Sequence, residues 1–436
     1  MELVSTRDPA RIVRFRDAVL DCMPRDGGLY VPAREEDLRP WIMYMDDKTS
    51  FASIAGTLTS ALLKNELSPV VSERIAAAAF SGFSPELRRL DERLYSLELF
   101  HGPTGCHKDF GFLWLASALE HILTIEDRGA TVLAATAGMS GRSMAAAFAG
   151  KTRLKAILVY PKGTLAGLDP AHLAWNGGNV YPVEIEGTLA DAQALVRGVY
   201  GDRALVERHG LTLANTMNIG RILPQTFFYM YAFTRIKRQV LGDIFYAVPS
   251  GNYGNLVAGL YAWKFSLPVN GFITDATPAL LCDQAGRCFC KDSGTPLSRR
   301  GPSDPVEPSN IERLEQVFAV NSLMLSGLVF PAEVDRASAP AKIREVWERY
   351  GVALDPSAAT ALAAADTFAD RVNSDEGTVV LVSKDHPAFQ RELVGAICGV
   401  TPPVPDFMRS AKDPVSGARV IPNDRERLVE VLREFS

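Results

Sequence analysis

Lys108 is the residue of this chain whose setting is hardest to explain by packing. It lies in Leu99-Phe100-His101-Gly102-Pro103-Thr104-Gly105-Cys106-His107-Lys108-Asp109-Phe110, a loop containing two glycines and a proline. Leu113, Leu115, Ala116, Leu119, Ile122 and Leu123 then recur at helical intervals, so the lysine sits where the loop turns into a buried helix. An ammonium there meets the positive end of the helix dipole and is disfavoured. The amine is better used neutral or in a covalent bond, as a Schiff-base lysine is. Taken alone, the residue also reads as a surface lysine snorkelling from a loop.

Two later stretches bear on that choice. Phe245 to Pro249 predicts a strand that runs into Ser250-Gly251-Asn252-Tyr253-Gly254-Asn255, with a helix expected from Leu256. Two glycines between a buried strand and a helix N-terminus let several backbone N–H groups converge on an anion such as phosphate. Asn252 and Asn255 would add side-chain amide donors, although a plain strand-to-helix turn is the other reading. Gly377 to Val382 is an unbroken apolar run, the pattern of a central strand. It delivers Ser383-Lys384-Asp385-His386-Pro387 at its carboxyl end, where open α/β sheets bind ligands.

A scaffold for these loops is legible from about residue 96, where strand, loop and helix alternate as in a parallel sheet covered by helices. Strands are expected at 131–135, 154–160, 180–185 and 211–214, and a small-residue helix at 144–150. Residues 1–95 read as a mostly helical leader with a Gly27-Gly28 turn and a short strand around Tyr30-Val31-Pro32, and without an acid/base or metal constellation. Residues 279–310 contain Gly286, Gly294, Pro296, Gly301, Pro302, Pro305 and Pro308. They read as an irregular surface excursion before a helix at Ile311.

Composition narrows the function classes. The chain has 436 residues, 47% hydrophobic and 22% charged, which suits an ordinary globular protein of two or three domains. A formal net charge of -5 gives no bulk attraction to nucleic acid or anionic lipid. The basic run Arg235-Ile236-Lys237-Arg238 reads as a solvated helix face. The start Met-Glu-Leu-Val-Ser-Thr-Arg lacks a signal-peptide pattern and no apolar run reaches membrane length, so a cytoplasmic protein without membrane or nucleic-acid partners is expected. Cys282, Cys288 and Cys290 cluster without a histidine at ligand spacing, so free thiols are expected and no metal.

Read together, three loops resemble those of the threonine synthase family: His101-Gly102-Pro103-Thr104 with His107-Lys108-Asp109-Phe110, Ser250 to Asn255, and Ser383 with His386-Pro387-Ala388. Ser5-Thr6-Arg7, Asp26 to Pro32, Asn215 with Asn218 and Arg221 to Gln225, and Pro308 to Leu314 extend the likeness over nearly the whole chain. The resemblance implies an α/β, tryptophan-synthase-β-like fold type II enzyme that depends on pyridoxal 5′-phosphate. It has open, mostly parallel sheets in a large domain (96–128 and 216–436) and a small mobile domain (129–215), after an N-terminal domain (1–95). By the same resemblance Lys108 is the Schiff-base lysine and moves protons between substrate carbons. Phe110 packs near the cofactor ring, Gly251, Asn252, Tyr253, Gly254 and Asn255 hold its phosphate, and Ser383 bonds its pyridine nitrogen. O-phosphohomoserine is the implied substrate, losing phosphate by γ-elimination before water adds at the β carbon. Asn215, Arg221, Ser140 and Ser143 would meet its phosphate, and Thr136, Gly138 and Ser140 its carboxylate.

The loop Thr136-Ala137-Gly138-Met139-Ser140-Gly141 departs from the family pattern, with Ala137 in place of a serine and Met139 in place of an acid or amide. Backbone N–H groups survive such changes, but lost polar groups alter how intermediates partition. Two alternatives therefore stand beside threonine formation. One is a related lyase or β/γ-replacement enzyme acting on another phosphorylated amino acid. The other is a non-catalytic homologue that binds pyridoxal phosphate or an amino acid. The chain is expected to act as a monomer or homodimer on a small-molecule substrate.

Overall fold

The computed structural model describes residues 1–436 except 284–286, 319–321 and 375. Its largest sheet has six strands in the order β14-β11-β10-β15-β5-β4. These are β4 (Glu86–Arg89), β5 (Leu94–Glu98), β10 (Ile244–Ala247), β11 (Gly271–Asp275), β14 (Val329–Ala332) and β15 (Thr378–Ser383). All neighbours are parallel except β4, which runs antiparallel to β5. The central strands read as unbroken apolar runs because helices cover both faces, leaving Tyr246, Ala247, Val380, Leu381 and Val382 without solvent exposure. On one face lies the 18-residue helix Lys108–Ile125, which buries Trp114, Leu115, Ala118 and Leu119.

A second, all-parallel sheet has five strands in the order β16-β8-β7-β6-β9. Four follow one another in sequence: β6 (Ala130–Ala135), β7 (Leu154–Pro161), β8 (Val180–Ile185) and β9 (Leu211–Thr212). The fifth, β16 (Arg419–Ile421), comes from the far end of the chain. It pairs with β8, whose N–H and C=O groups would otherwise form an open edge. The helix Arg425–Phe435 follows, and its Leu428, Val431 and Leu432 join Leu195, Val196 and Val199 in one apolar cluster. The small sheet thus recruits residues well outside 129–215.

The N-terminal stretch is less helical than its sequence suggests. β1 (Glu2–Ser5), β2 (Val13–Arg14) and β3 (Tyr30–Pro32) form an antiparallel sheet in the order β2-β1-β3. Helices Phe51–Leu62 and Pro69–Phe80 follow, their first turns capped by the hydroxyls of Ser50 and Ser68. β4 also falls within 1–95, so the large sheet begins before residue 96. The expected excursion at 279–310 contains a hairpin of β12 (Leu280–Cys282) and β13 (Cys288–Cys290); Gly286 lies outside the described residues. Among the described residues, no helix is long and apolar enough to cross a membrane.

Candidate active site

The site forms where three neighbouring strands of the large sheet end. β10 leads into the glycine loop, β15 ends beside it, and β5 on the other side leads into the lysine loop. The lysine loop is laced to the end of β15: His107 N–H donates to the Lys384 carbonyl (2.8 Å) and His386 N–H to the Gly105 carbonyl (3.0 Å). A buried network fixes the same loop from behind. Asp109 accepts from the Thr104 N–H (2.8 Å) and hydroxyl (2.5 Å), and Thr104 Oγ1 lies 2.6 Å from Ser143 Oγ. Burial pushes the Asp109 carboxyl up, against the pull of those donors. Lys108 is thereby set at the first turn of its helix, and its Nζ donates to Ser140 Oγ at 2.7 Å.

Lys108, Ser140, Asn215, Arg221 and all of Ser250 to Asn255 line one cleft of about 410 Å³. In its glycine loop Gly251 has φ +127° and Tyr253 φ +59°. That shape turns three successive N–H groups, those of Gly251, Asn252 and Tyr253, away from any acceptor among the described residues. The asparagine side chains also brace this shape. Asn252 Oδ1 accepts from Gly254 N–H (3.2 Å) while its Nδ2 donates to Thr216 Oγ1 (2.9 Å), and Asn255 Nδ2 donates to Gln225 Oε1 (3.0 Å). Asp275 anchors the start of the loop by accepting from the Ser250 N–H (2.8 Å) and hydroxyl (2.5 Å).

Arg221 is 3% exposed and stacks its guanidinium 3.7 Å from the centre of the Phe112 ring. Nη1 donates to the Lys108 carbonyl (3.1 Å), Nε is buried without a partner, and no carboxylate among the described residues lies within ion-pair distance. Burial brings its pKa down to about 10. Asn215 clamps the rim: its Nδ2 donates to the Pro305 carbonyl (2.6 Å), on a segment that Arg197 holds through Asp304 (2.8 Å).

Five expected residues, Phe110, Thr136, Gly138, Ser143 and Ser383, stand apart from the cleft lining. Phe110 is fully buried among Phe51, Phe80, Phe83 and Phe228, and Phe112 lines the cleft in its place. Helical geometry accounts for it, since position i+4 from Lys108 shares its face and position i+2 does not. Ser143 spends its hydroxyl on the Thr104 network. Ser383 pairs with Ser96 Oγ at 2.9 Å, and the side chains that reach the cleft from that strand end belong to Lys384 and Asp385. Thr136 lies in the turn after β6 with its hydroxyl buried and unpartnered. In the same turn, exposed Gly138 (φ +65°) precedes the helix Met139–Phe148 and Ser140.

His107, Lys384 and Asp385 line the cleft, although in the sequence they stand only as members of its motifs. His107 Nδ1 faces Asp385 Oδ1 at 3.9 Å, with 14% of the His107 side chain exposed. Burial holds the His107 pKa down to about 4 in spite of that carboxylate. Burial raises Asp385, but His107, Lys384 and Lys108 outweigh it and leave the carboxyl below its usual range. The available signal was position: Lys384 and Asp385 follow the end of a central strand, and His107 directly precedes Lys108.

Comparison with known proteins agrees with this geometry. A family model for "Pyridoxal-phosphate dependent enzyme" matches residues 83–385, and one for "Threonine synthase N terminus" matches residues 2–80. The threonine synthase of Escherichia coli K12 is 32% identical over 421 residues, covering 95% of each chain. A crystal structure of the Escherichia coli enzyme superposes with a TM-score of 0.80 over the full length of both chains, at 28% identity. A structure of pyridoxal-phosphate-bound threonine synthase from Brucella melitensis gives 0.82 at 26% identity, covering 100% of this chain and 99% of the other. On both its catalytic portion and its N-terminal portion, the chain belongs to the threonine synthase family, the fold type II lyases that depend on pyridoxal 5′-phosphate.

Proposed function

We propose that the cleft binds O-phosphohomoserine and converts it, with water, to threonine and inorganic phosphate. Arg221 is the observation that carries this reading. A buried guanidinium without a carboxylate partner is costly unless an anion completes it, and it lines the same cleft as Lys108. The phosphate of the substrate supplies that anion.

The residues also fit the cofactor. Three unpaired N–H groups at the glycine loop suit its phosphate, and the Lys108 amine stands in the same cleft to bond its aldehyde carbon. When bound, pyridoxal phosphate supplies an electron sink for charge that develops at the substrate's α carbon. Lys108 Nζ, as a free amine, would take the α proton and return protons along the carbon chain, with Ser140 Oγ holding it in place. The turn containing Thr136, Gly138 and Ser140 meets the substrate carboxylate through its N–H groups and hydroxyls. Arg221 orients the leaving phosphate and stabilises its charge as the Cγ–O bond breaks, with Asn215 holding the rim of the cleft through the Pro305 carbonyl. The small sheet carrying that turn is the element assigned to close over the substrate and exclude water.

Incubating the purified, cofactor-loaded protein with O-phosphohomoserine tests this. Phosphate and threonine in equal amounts are expected. Phosphate with 2-oxobutyrate, or no phosphate, rejects it, and the first of these outcomes points to the Ala137 and Met139 differences.

A further inference from the structure

The cleft holds a second amine that the proposed reaction does not use. Lys384 lies directly after β15, partly buried. Its Nζ donates to the carbonyl of Ser250 (3.0 Å) and approaches that of Pro249 (3.5 Å). It would also be 4.0 Å from a Cβ built on Gly251, the nearest heavy atom to that open face of the loop. Among the described residues no carboxylate lies within ion-pair distance of it. Burial pulls its pKa down, as does Lys108, while the charges of Asp385, Asp355 and Asp275 oppose that.

Strand order fixes what this amine faces. The glycine loop follows β10, Lys384 follows β15, and Lys108 stands beyond β5, in that order across the sheet. A pyridine ring whose phosphate arm is held at the first loop and whose aldehyde carbon meets Lys108 must lie across the end of β15. On pyridoxal phosphate the ring nitrogen is opposite the aldehyde carbon, so it is the ring atom farthest from Lys108. Nζ is drawn toward the glycine-loop side by the Pro249 and Ser250 carbonyls, which is that far side. Those carbonyls occupy two of the three ammonium protons. Ser383, one residue earlier, points the other way into its bond with Ser96, as alternation along a strand requires.

We propose that Lys384 is the residue that meets the cofactor's ring nitrogen, donating its third N–H to that nitrogen's lone pair. The inference rests on the cofactor site described above. A nitrogen that accepts from an ammonium stays unprotonated, because a second proton would face a cation. The ring then withdraws electrons mildly, and proton movement at the substrate carbons falls to Lys108.

Nitrogen-15 resonance of ring-labelled pyridoxal phosphate bound to the holoenzyme reads this directly. In the unsubstituted protein the ring nitrogen is expected to be unprotonated and hydrogen-bonded at neutral pH. Lys384→Met removes the donor, so the resonance moves and cofactor affinity falls about tenfold. Lys384→Asp supplies an acceptor, so the nitrogen becomes protonated. A protonated nitrogen in the unsubstituted protein, or a resonance identical in the Met variant, overturns the assignment. So does a change confined to the cofactor's phosphorus-31 resonance, which would put Lys384 on the phosphate. If neither variant folds, the spectrum of the unsubstituted protein decides alone. Borohydride reduction and peptide mapping separate the two levels: no label on Lys108 removes the cofactor site itself, whereas a label there with an unresponsive ring nitrogen removes only the role of Lys384.

Discussion

Arg221 donates from Nη1 to the main-chain carbonyl of Lys108 at 3.1 Å, so the cation assigned to the substrate phosphate is registered to the backbone of the lysine assigned to the cofactor. The contact requires a glycine at position 111, where a Cβ would overlap Nη1. That bond and the glycine at 111 together set Arg221 against the first turn of the Lys108 helix.

Removing that cation should be felt in catalysis. Arg221→Ala is expected to lower kcat/KM for O-phosphohomoserine about a hundredfold, through both KM and kcat, because the lost charge-assisted bond both holds the substrate phosphate and stabilises it as it leaves. Cofactor absorbance should be unchanged. Steady-state kinetics beside a cofactor spectrum check both, and an unaltered kcat/KM removes Arg221 from the substrate.

Lys108→Ala should abolish the visible absorbance of lysine-bound cofactor and all turnover. Borohydride should then leave no cofactor attached to the peptide containing residue 108. Retained label elsewhere would move the reactive lysine to another position, with Lys384 the first to examine.

Phe110 and Phe112 should separate stability from function. Phe110→Ala opens a cavity among four phenyl rings and is expected to cost about 3–5 kcal/mol of stability, read as a lower denaturant midpoint. Phe112→Leu removes the surface under the Arg221 guanidinium and should raise KM with little change in midpoint. The opposite pattern would reverse the assignment of their two faces.

Gly251→Ala should weaken cofactor binding, because φ +127° is a region that side chains rarely adopt. Strain of about 1–3 kcal/mol would distort the three N–H groups assigned to the phosphate. Titration with pyridoxal phosphate followed by absorbance measures the loss, and unchanged affinity would place the phosphate elsewhere.

His107 should make the fold acid-sensitive. Its pKa falls from 6.5 to about 4 on folding, so the unfolded chain binds more protons between those values. The stability it contributes is present above pH 6.5 and is lost as pH falls toward 4, on the order of 3 kcal/mol in all. Denaturant unfolding across that window should show the slope, and His107→Gln should reduce it, the remainder coming from His386, which burial also holds down to about 4.

Much of this protein was written locally. The three loops, the βα alternation and the turn at Gly251 depend on nearby residues and on patterns of period two or 3.6, which a single stretch of chain displays. Local pattern does not say which side chain at a strand end or helix start faces a ligand. Phe110 and Phe112 are both apolar beside Lys108, and only the helix phase against the packed aromatic cluster puts Phe112 in the cleft. Ser383 and Lys384 both have polar side chains, and the pairing of Ser383 with Ser96 on β5 leaves Lys384 for the site. β16 joins a sheet whose other strands lie more than 200 residues earlier, because an exposed β8 edge makes that distant pairing favourable. Sequence determined the chemistry present at each loop; the tertiary structure decided which groups share a cleft, since strand order and burial are properties of the packed chain.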